Sequence, residues 1–167
     1  MKAAVLLMSM LLCAWLASGP AASQDAVPSK SEKPASLCRP GFIFPELIVR
    51  NVDDHVAFFK AVTGFELTRS EKGYAVLKSE RGEIVFMEGQ GLPDGHPNKI
   101  EPKDGRFGFG LELAVVVPDL DKSFAAFKEF EKKGFRLSAG IGRRPWGARD
   151  YRVLLPDGYY IRFSEAM

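Results

Sequence analysis

The second half of this chain repeats the plan of its first half. Residues 49–59 align with residues 117–127 without a gap, and Asn51 and Asp119 both precede a helical pattern. The aligned segments are identical at four positions, and glycine markers recur downstream in the same order: Val49/Val117, Asp53/Asp121, Ala57/Ala125, Phe59/Phe127, Gly64/Gly134 and Gly82/Gly158. An ordered agreement of this kind indicates an internal duplication.

Each half contains one strand, one helix and three further strands. In the first module, residues 43–88, the pattern predicts strands at 44–50, 65–69, 74–78 and 83–88, with a helix between Asn51 and Gly64. In the second module, residues 110–165, it predicts strands at 111–117, 135–138, 151–155 and 159–164, with a helix between Asp119 and Gly134. We therefore expect an α+β fold in which two tandem βαβββ modules form a curved mixed sheet cup.

The first 40 residues differ from both modules. Residues 3–17 form an apolar run after Lys2, and Ala21-Ala22-Ser23 places small residues before Gln24. We expect a signal peptide at 1–23, a flexible linker at 24–40 and the folded domain at 41–167. A retained anchor is the alternative, although the run is shorter than the roughly 20 residues that span a bilayer. The protein is expected to be periplasmic or secreted, without membrane attachment after cleavage.

The charge balance and the cysteine content limit the binding partners and the disulfides that this chain can have. The chain has 23 basic and 21 acidic side chains, so loss of Lys2 with the signal leaves a net charge of about +1. That balance predicts no nucleic-acid partner. Of the two cysteines, Cys13 lies in the signal and Cys38 is left without a partner, so no intrachain disulfide is expected.

Strand alternation divides the side chains between two faces. Leu47 and Val49 are expected to face their helix, whereas Phe44 and Glu46 point away, as does Glu112 in the second module. Superposing Gly82 on Gly158 adds Phe86 and Glu88 to this pocket face, together with Tyr160 and Arg162. In the helix of the first module, His55 is expected to lie on the exposed side.

Residues 145–150, PWGARD, followed by residues 155–163, LPDGYYIRF, carry a family resemblance. Together with the duplication, they resemble the vicinal oxygen chelate superfamily, which includes glyoxalase I, extradiol dioxygenases and bleomycin-resistance proteins. The likeness extends over almost all of residues 43–165 and is closest to the bleomycin-resistance branch. It implies the glyoxalase/bleomycin-resistance fold, binding of a small molecule and a homodimer.

Metal-dependent members of that superfamily hold a divalent ion with side chains on the first and last strand of each module. The corresponding positions in this chain are Phe44, Phe86, Glu112 and Arg162. Neither phenylalanine offers a donor atom, and a guanidinium is cationic. We therefore expect no metal and no cofactor. An off-pattern site of Glu46, Glu88 and Glu112 remains an alternative and would allow a metal-dependent lyase or dioxygenase with displaced ligands.

The expected ligand-binding residues share the pocket face or lie beside it: Phe44, Glu46, Phe86, Glu88, Glu112, Trp146, Tyr160 and Arg162. Glu112 and Arg162 form either a structural ion pair or one that a ligand opens. Arg143, Arg144 and Arg149 near Trp146 either receive an anion or solvate their loop. No catalytic residue is assigned. The sequence favours an exported protein that sequesters a hydrophobic or aromatic ligand without a metal, over an enzyme or a scaffold with a filled cup.

Overall fold

The computed structural model describes residues 42–99 and 105–166. The predicted signal peptide and linker lie outside the described residues. Within these two segments, no helix combines the length and hydropathy that crossing a membrane would require.

The first module contains β1 (Glu46–Val49), α1 (Val52–Thr63), β2 (Glu66–Glu71), β3 (Tyr74–Lys78) and β4 (Glu83–Glu88). The Asn51 side chain accepts a hydrogen bond from the Asp54 amide at 2.9 Å and so caps the first turn of α1. Gly64, at φ 75°, ends the helix in the left-handed conformation that glycine adopts without strain. Both boundaries agree with the sequence prediction.

The second module contains β5 (Glu112–Val116), α2 (Leu120–Phe127), β6 (Arg136–Arg143), β7 (Arg149–Leu154) and β8 (Tyr160–Ser164). Asp119 caps α2 by accepting from the Lys122 amide at 3.0 Å. After Phe127 the chain tightens into a 3₁₀ helix, Lys128–Lys133, before Gly134 stops it. The strand predicted at 135–138 is longer in the structure and continues to Arg143.

Each module forms its own four-stranded sheet, in the orders β1-β4-β3-β2 and β5-β8-β7-β6. In both, the first and last strands of the module pair in parallel, and the remaining pairs are antiparallel. The two mixed sheets confirm the predicted architecture of two βαβββ modules.

One aromatic core joins the two modules. The ring of Phe58 on α1 stacks on Phe135 of the second module at a centroid distance of 4.2 Å and contacts Phe163 of β8 edge to face. Phe59, its neighbour on α1, packs against Phe86 of β4. Helix α1 therefore contacts both modules, and its apolar burial on two sides stabilises their association.

Polar contacts align the modules around this core. The buried Tyr159 hydroxyl accepts from the Ile48 amide and donates to the Ile48 carbonyl, both at 3.0 Å, which satisfies the free edge of β1. Burial raises the pKa of Tyr159 to about 12, so its donor proton is retained at neutral pH. The buried carboxylate of Asp157 accepts from Arg50 Nη1 at 2.6 Å.

His55 is buried, with 1% of its surface exposed, and the expectation that it lies on an exposed helix face was wrong. The second module covers this side of α1, because Phe135 packs on the imidazole ring at 5.4 Å. Nδ1 bonds the Asn51 carbonyl at 2.8 Å, and Nε2 lies 3.5 Å from Asp157 Oδ2. Desolvation lowers the pKa of His55 below its ordinary value, although Asp157 opposes this shift.

This lowered pKa predicts an acid-sensitive stability. The unfolded chain binds a proton at His55 near pH 6.5, whereas the folded chain binds it only at lower pH. The free energy of unfolding should therefore fall as the pH drops from about 6.5 through the folded pKa, and then stop changing on account of this residue. Urea denaturation between about pH 7.5 and about pH 4.5 measures the slope. His55→Phe should flatten it. His96→Gln should preserve it, because His96 lies partly exposed in the segment between β4 and β5. Equal slopes in both variants would contradict the assignment.

Candidate functional site

The second module has an open face, the side of its sheet away from α2. Ile161 and Phe163 of β8 and Tyr151 and Val153 of β7 point into the core, so their neighbours point the other way. The residues of the open face are Glu112, Ala114, Val116, Asp150, Arg152, Leu154, Tyr160, Arg162 and Ser164. The ladder places them in rows, of which Glu112, Tyr160 and Leu154 form one.

Three of the predicted site residues meet in this face. Arg162 Nε lies 3.2 Å from Glu112 Oε1, which makes an ion pair but not a well-aligned hydrogen bond. The guanidinium also lies over the Trp146 ring, 5.5 Å from its centroid, and Trp146 remains 48% exposed. Arg162 is thus held between a carboxylate and an indole, and the indole keeps one surface available to a ligand.

A turn after β6 brings Trp146 to the sheet. The Gly147 amide donates to the Arg144 carbonyl at 2.9 Å, and the Arg144 amide donates to the Ala148 carbonyl at 2.9 Å. Gly147 has φ 101°, which a residue with a side chain rarely adopts. Because Ala148 is buried while Trp146 is not, the turn projects the indole beyond the sheet.

Sequence analysis missed the buried acid of this face, Asp150, which is 0% exposed. Its Oδ1 accepts from Arg144 Nε at 2.7 Å and lies 3.5 Å from Arg152 Nε. A hydrogen bond to the Tyr160 side chain is the main cause of a raised pKa at Arg152. Counting alternate positions back from Leu154 along β7 would have found both residues.

The arginines expected around Trp146 separate. Arg144 bonds Asp150, whereas Arg149 pairs with Glu165 at 2.9 Å and with Asp121 at 3.1 Å. Arg143 donates to the Gly147 carbonyl at 2.8 Å. Of these three arginines, only Arg144 therefore belongs to the charge network of the open face.

Two of the first-module site residues were placed on the wrong face. Phe86 is fully buried and packs on His55 and Phe59, because Leu47 pairs with Phe86 as Leu113 pairs with Ile161. Glu88 pairs with the core residue Val49 and lies on the same face of β4 as Phe86. The turn before β4 differs in length from the turn before β8, so superposing Gly82 on Gly158 shifts the register by one residue and exchanges the faces.

The other two first-module residues are less buried. Phe44 precedes β1 and is half-buried, with its ring 6.2 Å from Phe42. Glu46 is exposed and pairs with Val85. Both belong to the first module, whereas Glu112, Tyr160 and Arg162 lie in the sheet of the second module and Trp146 in the turn before β7.

A pocket of about 370 Å³ adjoins the open face of the second module, near the lower end of the size range of ligand sites. The Glu112, Tyr160 and Leu154 row forms one side, and Arg106 and Phe109 of the preceding segment line it too. That segment is held closely: Phe107 N donates to Asp157 O at 2.7 Å, and a Cβ on Gly108 would lie 2.4 Å from Tyr159 Cα. The pocket wall is therefore fixed to the module junction.

A larger cleft of about 970 Å³ lies between the modules, lined by the start of β4, the residues around Gly64 and the strand β5. The carboxylate of Glu83 in this cleft is buried and pairs with Lys78 Nζ at 3.0 Å. None of the eight predicted site residues lines this cleft.

Residues 41–163 match the family model of the glyoxalase/bleomycin resistance protein/dioxygenase superfamily. The chain belongs to this superfamily. A protein of unknown function from Agrobacterium tumefaciens is similar in structure, with 21% identity, a TM-score of 0.59 and coverage of 75% of this chain and 94% of that one. No curated protein matches the sequence significantly.

Two further solved structures share the fold. TioX from Micromonospora sp. ML1 gives 21% identity and a TM-score of 0.55 over 75% of this chain and 98% of that chain. Lactoylglutathione lyase from Agrobacterium tumefaciens gives 21% identity and a TM-score of 0.51 over 76% of this chain and 95% of that chain. The superfamily fold predicted from residues 145–163 and the duplication is thus confirmed.

The metal that this superfamily can carry does not fit these residues. With the register corrected, Val85 replaces Phe86 as the counterpart of Arg162, because Glu46 and Ala114, their ladder partners, both lie five residues before a helix cap. The four positions are then Phe44, Val85, Glu112 and Arg162, with one carboxylate that already faces a guanidinium. Within residues 42–99 and 105–166, no three acidic, histidine or cysteine side chains are grouped to hold an ion, including Glu46, Glu88 and Glu112.

The two carboxylates of the open face should differ in structural importance. Glu112→Gln should change the free energy of unfolding by less than about 1 kcal/mol, because 45% of the side chain is exposed and water screens the pair. Asp150→Asn should cost about 2–4 kcal/mol, since it leaves Arg144 facing a neutral amide in a buried position. Urea denaturation at neutral pH measures both. A cost at Glu112 as large as that at Asp150 would identify Glu112–Arg162 as a structural bridge.

Proposed function

We propose that this chain is a small-molecule-binding protein of the superfamily, which takes a flat aromatic ligand without a metal on the open face of its second module. The observation that carries the proposal is the exposed Trp146 ring over Arg162, whose ladder row adjoins the row of Tyr160 that lines the pocket. Aromatic surfaces bind planar ligands through stacking and burial of apolar area. The pocket is large enough for one small ring system.

The charges of the site support binding rather than chemical turnover. Glu112 faces Arg162, and Asp150 is bonded by Arg144. Each carboxylate already has a cationic partner, which competes with a substrate proton for the oxygens that general acid-base catalysis would use. The bleomycin-resistance branch suggested by residues 145–150 fits this reading, since it implies a binding role.

Ligand binding can be followed by the fluorescence of Trp146 in the mature protein, from which the expected cleavage before Gln24 removes the other tryptophan, Trp15. Titration with a panel of aromatic probes should give saturable quenching, and Trp146→Phe should abolish that signal and weaken binding about tenfold, because the indole supplies the stacking surface. Tyr74→Phe serves as the control, since Tyr74 of β3 also lies under an arginine, Arg69, but belongs to the first module and does not line the pocket. Sedimentation of the same sample tests the expected homodimer.

Metal analysis of the same preparation separates this proposal from the enzyme alternative. Treatment with a chelator should leave both the quenching and the affinity unchanged. A stoichiometric divalent metal, whose removal abolishes activity on a superfamily substrate, would overturn the proposal in favour of a metal-dependent lyase or dioxygenase. If none of the probes gave a saturable signal, a scaffold whose cup is filled by its own side chains would be favoured.

We further propose that the protein acts after export, in the periplasm or outside the cell. The support is the apolar run at residues 3–17 followed by Ala21-Ala22-Ser23. Expression of the full chain in a bacterial host should yield mature protein that begins at Gln24, as N-terminal sequencing would show. Substituting Ala21 and Ser23 with bulky residues should block this cleavage. An N-terminus that retains residues 1–23 in the unsubstituted protein would contradict export by cleavage.

A further inference from the structure

Two arginines lie directly opposite each other on the open face. Arg152 of β7 and Arg162 of β8 are ladder partners, and both point away from the core. Their outer partners in the same row are alanines, Ala139 on β6 and Ala114 on β5. Like charges directly opposite each other destabilise a strand pair. The row itself contains no carboxylate that offsets this repulsion.

The neighbouring rows offset the repulsion only in part. Asp150 is shared, since its Oδ1 bonds Arg144 at 2.7 Å and reaches Arg152 Nε at 3.5 Å. Glu112 is the counterion of Arg162, at 3.2 Å. Within this network of described residues, the guanidinium groups of Arg144, Arg152 and Arg162 therefore face two carboxylates, which leaves the network with one positive charge in excess.

Hydrogen bonding shows a matching excess of donors. The Nε atoms of Arg152 and Arg162 are both buried, and neither has a hydrogen-bond partner among the described residues. One acceptor of the same face, Asp150 Oδ2, is also without a partner in that part of the chain. This local shortage of acceptors suits an anion at the exposed parts of the two side chains, 26% for Arg152 and 27% for Arg162, because a carboxylate brings acceptors and no donor.

The aromatic residues lie beside these donors. Trp146 stacks on Arg162, and Tyr160 lies two residues before Arg162 on the same face of β8. Tyr160 also lines the pocket of about 370 Å³, in the row next to the two arginines. A ring placed against Tyr160 and Trp146 would therefore carry a substituent to the arginine pair.

We propose that Arg152 and Arg162 together bind the carboxylate of an aromatic acid, whose ring lies against Trp146 and Tyr160. This inference rests on the proposed function and specifies the chemical class of its ligand. Planar guanidinium groups bind carboxylates through paired hydrogen bonds. The bound carboxylate supplies the missing negative charge between the two arginines.

A matched pair of probes tests the charge requirement. Isothermal titration calorimetry of the full-length protein compares 2-naphthoate with its uncharged amide, 2-naphthamide. The acid should bind roughly tenfold or more tightly than the amide, because its hydrogen bonds to arginine are charge-assisted. Added salt should weaken binding of the acid more than binding of the amide.

Substitution of Arg152 tests the residue assignment. Arg152→Gln should lower the affinity for 2-naphthoate roughly tenfold and change that for 2-naphthamide less than about threefold. Arg162→Gln should lower the affinity for both probes, since it also removes the guanidinium that supports the Trp146 ring. Arg69→Gln is the control, because Arg69 pairs with Glu71 on the exposed strand β2 of the other module. Circular dichroism checks folding, and Arg152→Lys, which keeps the charge, should give an intermediate loss.

Three other outcomes would each refute the proposed carboxylate site. If neither probe binds, the proposed function fails and this inference fails with it. If both bind equally and Arg152→Gln has no effect, aromatic binding stands but the anion site is refuted. If Arg152→Gln instead dissociates a homodimer and leaves 2-naphthoate affinity unchanged, the pair contacts an acidic side chain of a second copy, which also refutes the proposal.

Discussion

The packing of both modules against helix α1 is the constraint on which the rest of the structure depends. Phe59 contacts the first sheet through Phe86, and Phe58 contacts the second module through Phe135 and Phe163. One helix therefore contributes to the cores of both modules. Because the helix sides of the sheets are used in this way, a ligand of the second module must bind on the opposite side of its sheet. The core thus determines which side chains are available for function.

The polar junction extends the same constraint to the pocket. The carboxylate of Asp157 accepts a hydrogen bond from Arg50 of the first module, and its backbone carbonyl accepts one from the Phe107 amide. Tyr159, two residues later, closes the edge of β1 and leaves no room for a side chain at Gly108. Tyr160 then enters the open face. Four consecutive residues of one hairpin therefore join the modules, position the pocket wall and begin the candidate site.

Local signals were sufficient for the architecture but not for every face. Asn51, Gly64, Asp119 and Gly134 act through neighbouring backbone groups, so their roles can be read from adjacent residues. Both ends of α1 and the start of α2 were predicted correctly, whereas the 3₁₀ helix between Phe127 and Gly134 was not. Phe86 was misplaced because a strand's face depends on its register with a partner, which turn length alone does not determine. His55 was misplaced because the second module, distant in sequence, covers its helix face. Long-range packing, rather than local propensity, determined both residues.

The corrected register also changes the meaning of the duplication. Glu46 opposes Val85 in one module, and Ala114 opposes Arg162 in the other, so equivalent ladder positions carry different chemistry. A valine side chain has no polar atom to offer a ligand, whereas Arg162 brings a guanidinium that its neighbours hold from two sides. A position that binds a metal in related proteins needs an electron-pair donor, and a cation there repels the metal and attracts an anion instead. The same fold can therefore select an opposite class of ligand through one side chain, which explains how superfamily membership and the absence of a fitting metal-ligand set are compatible.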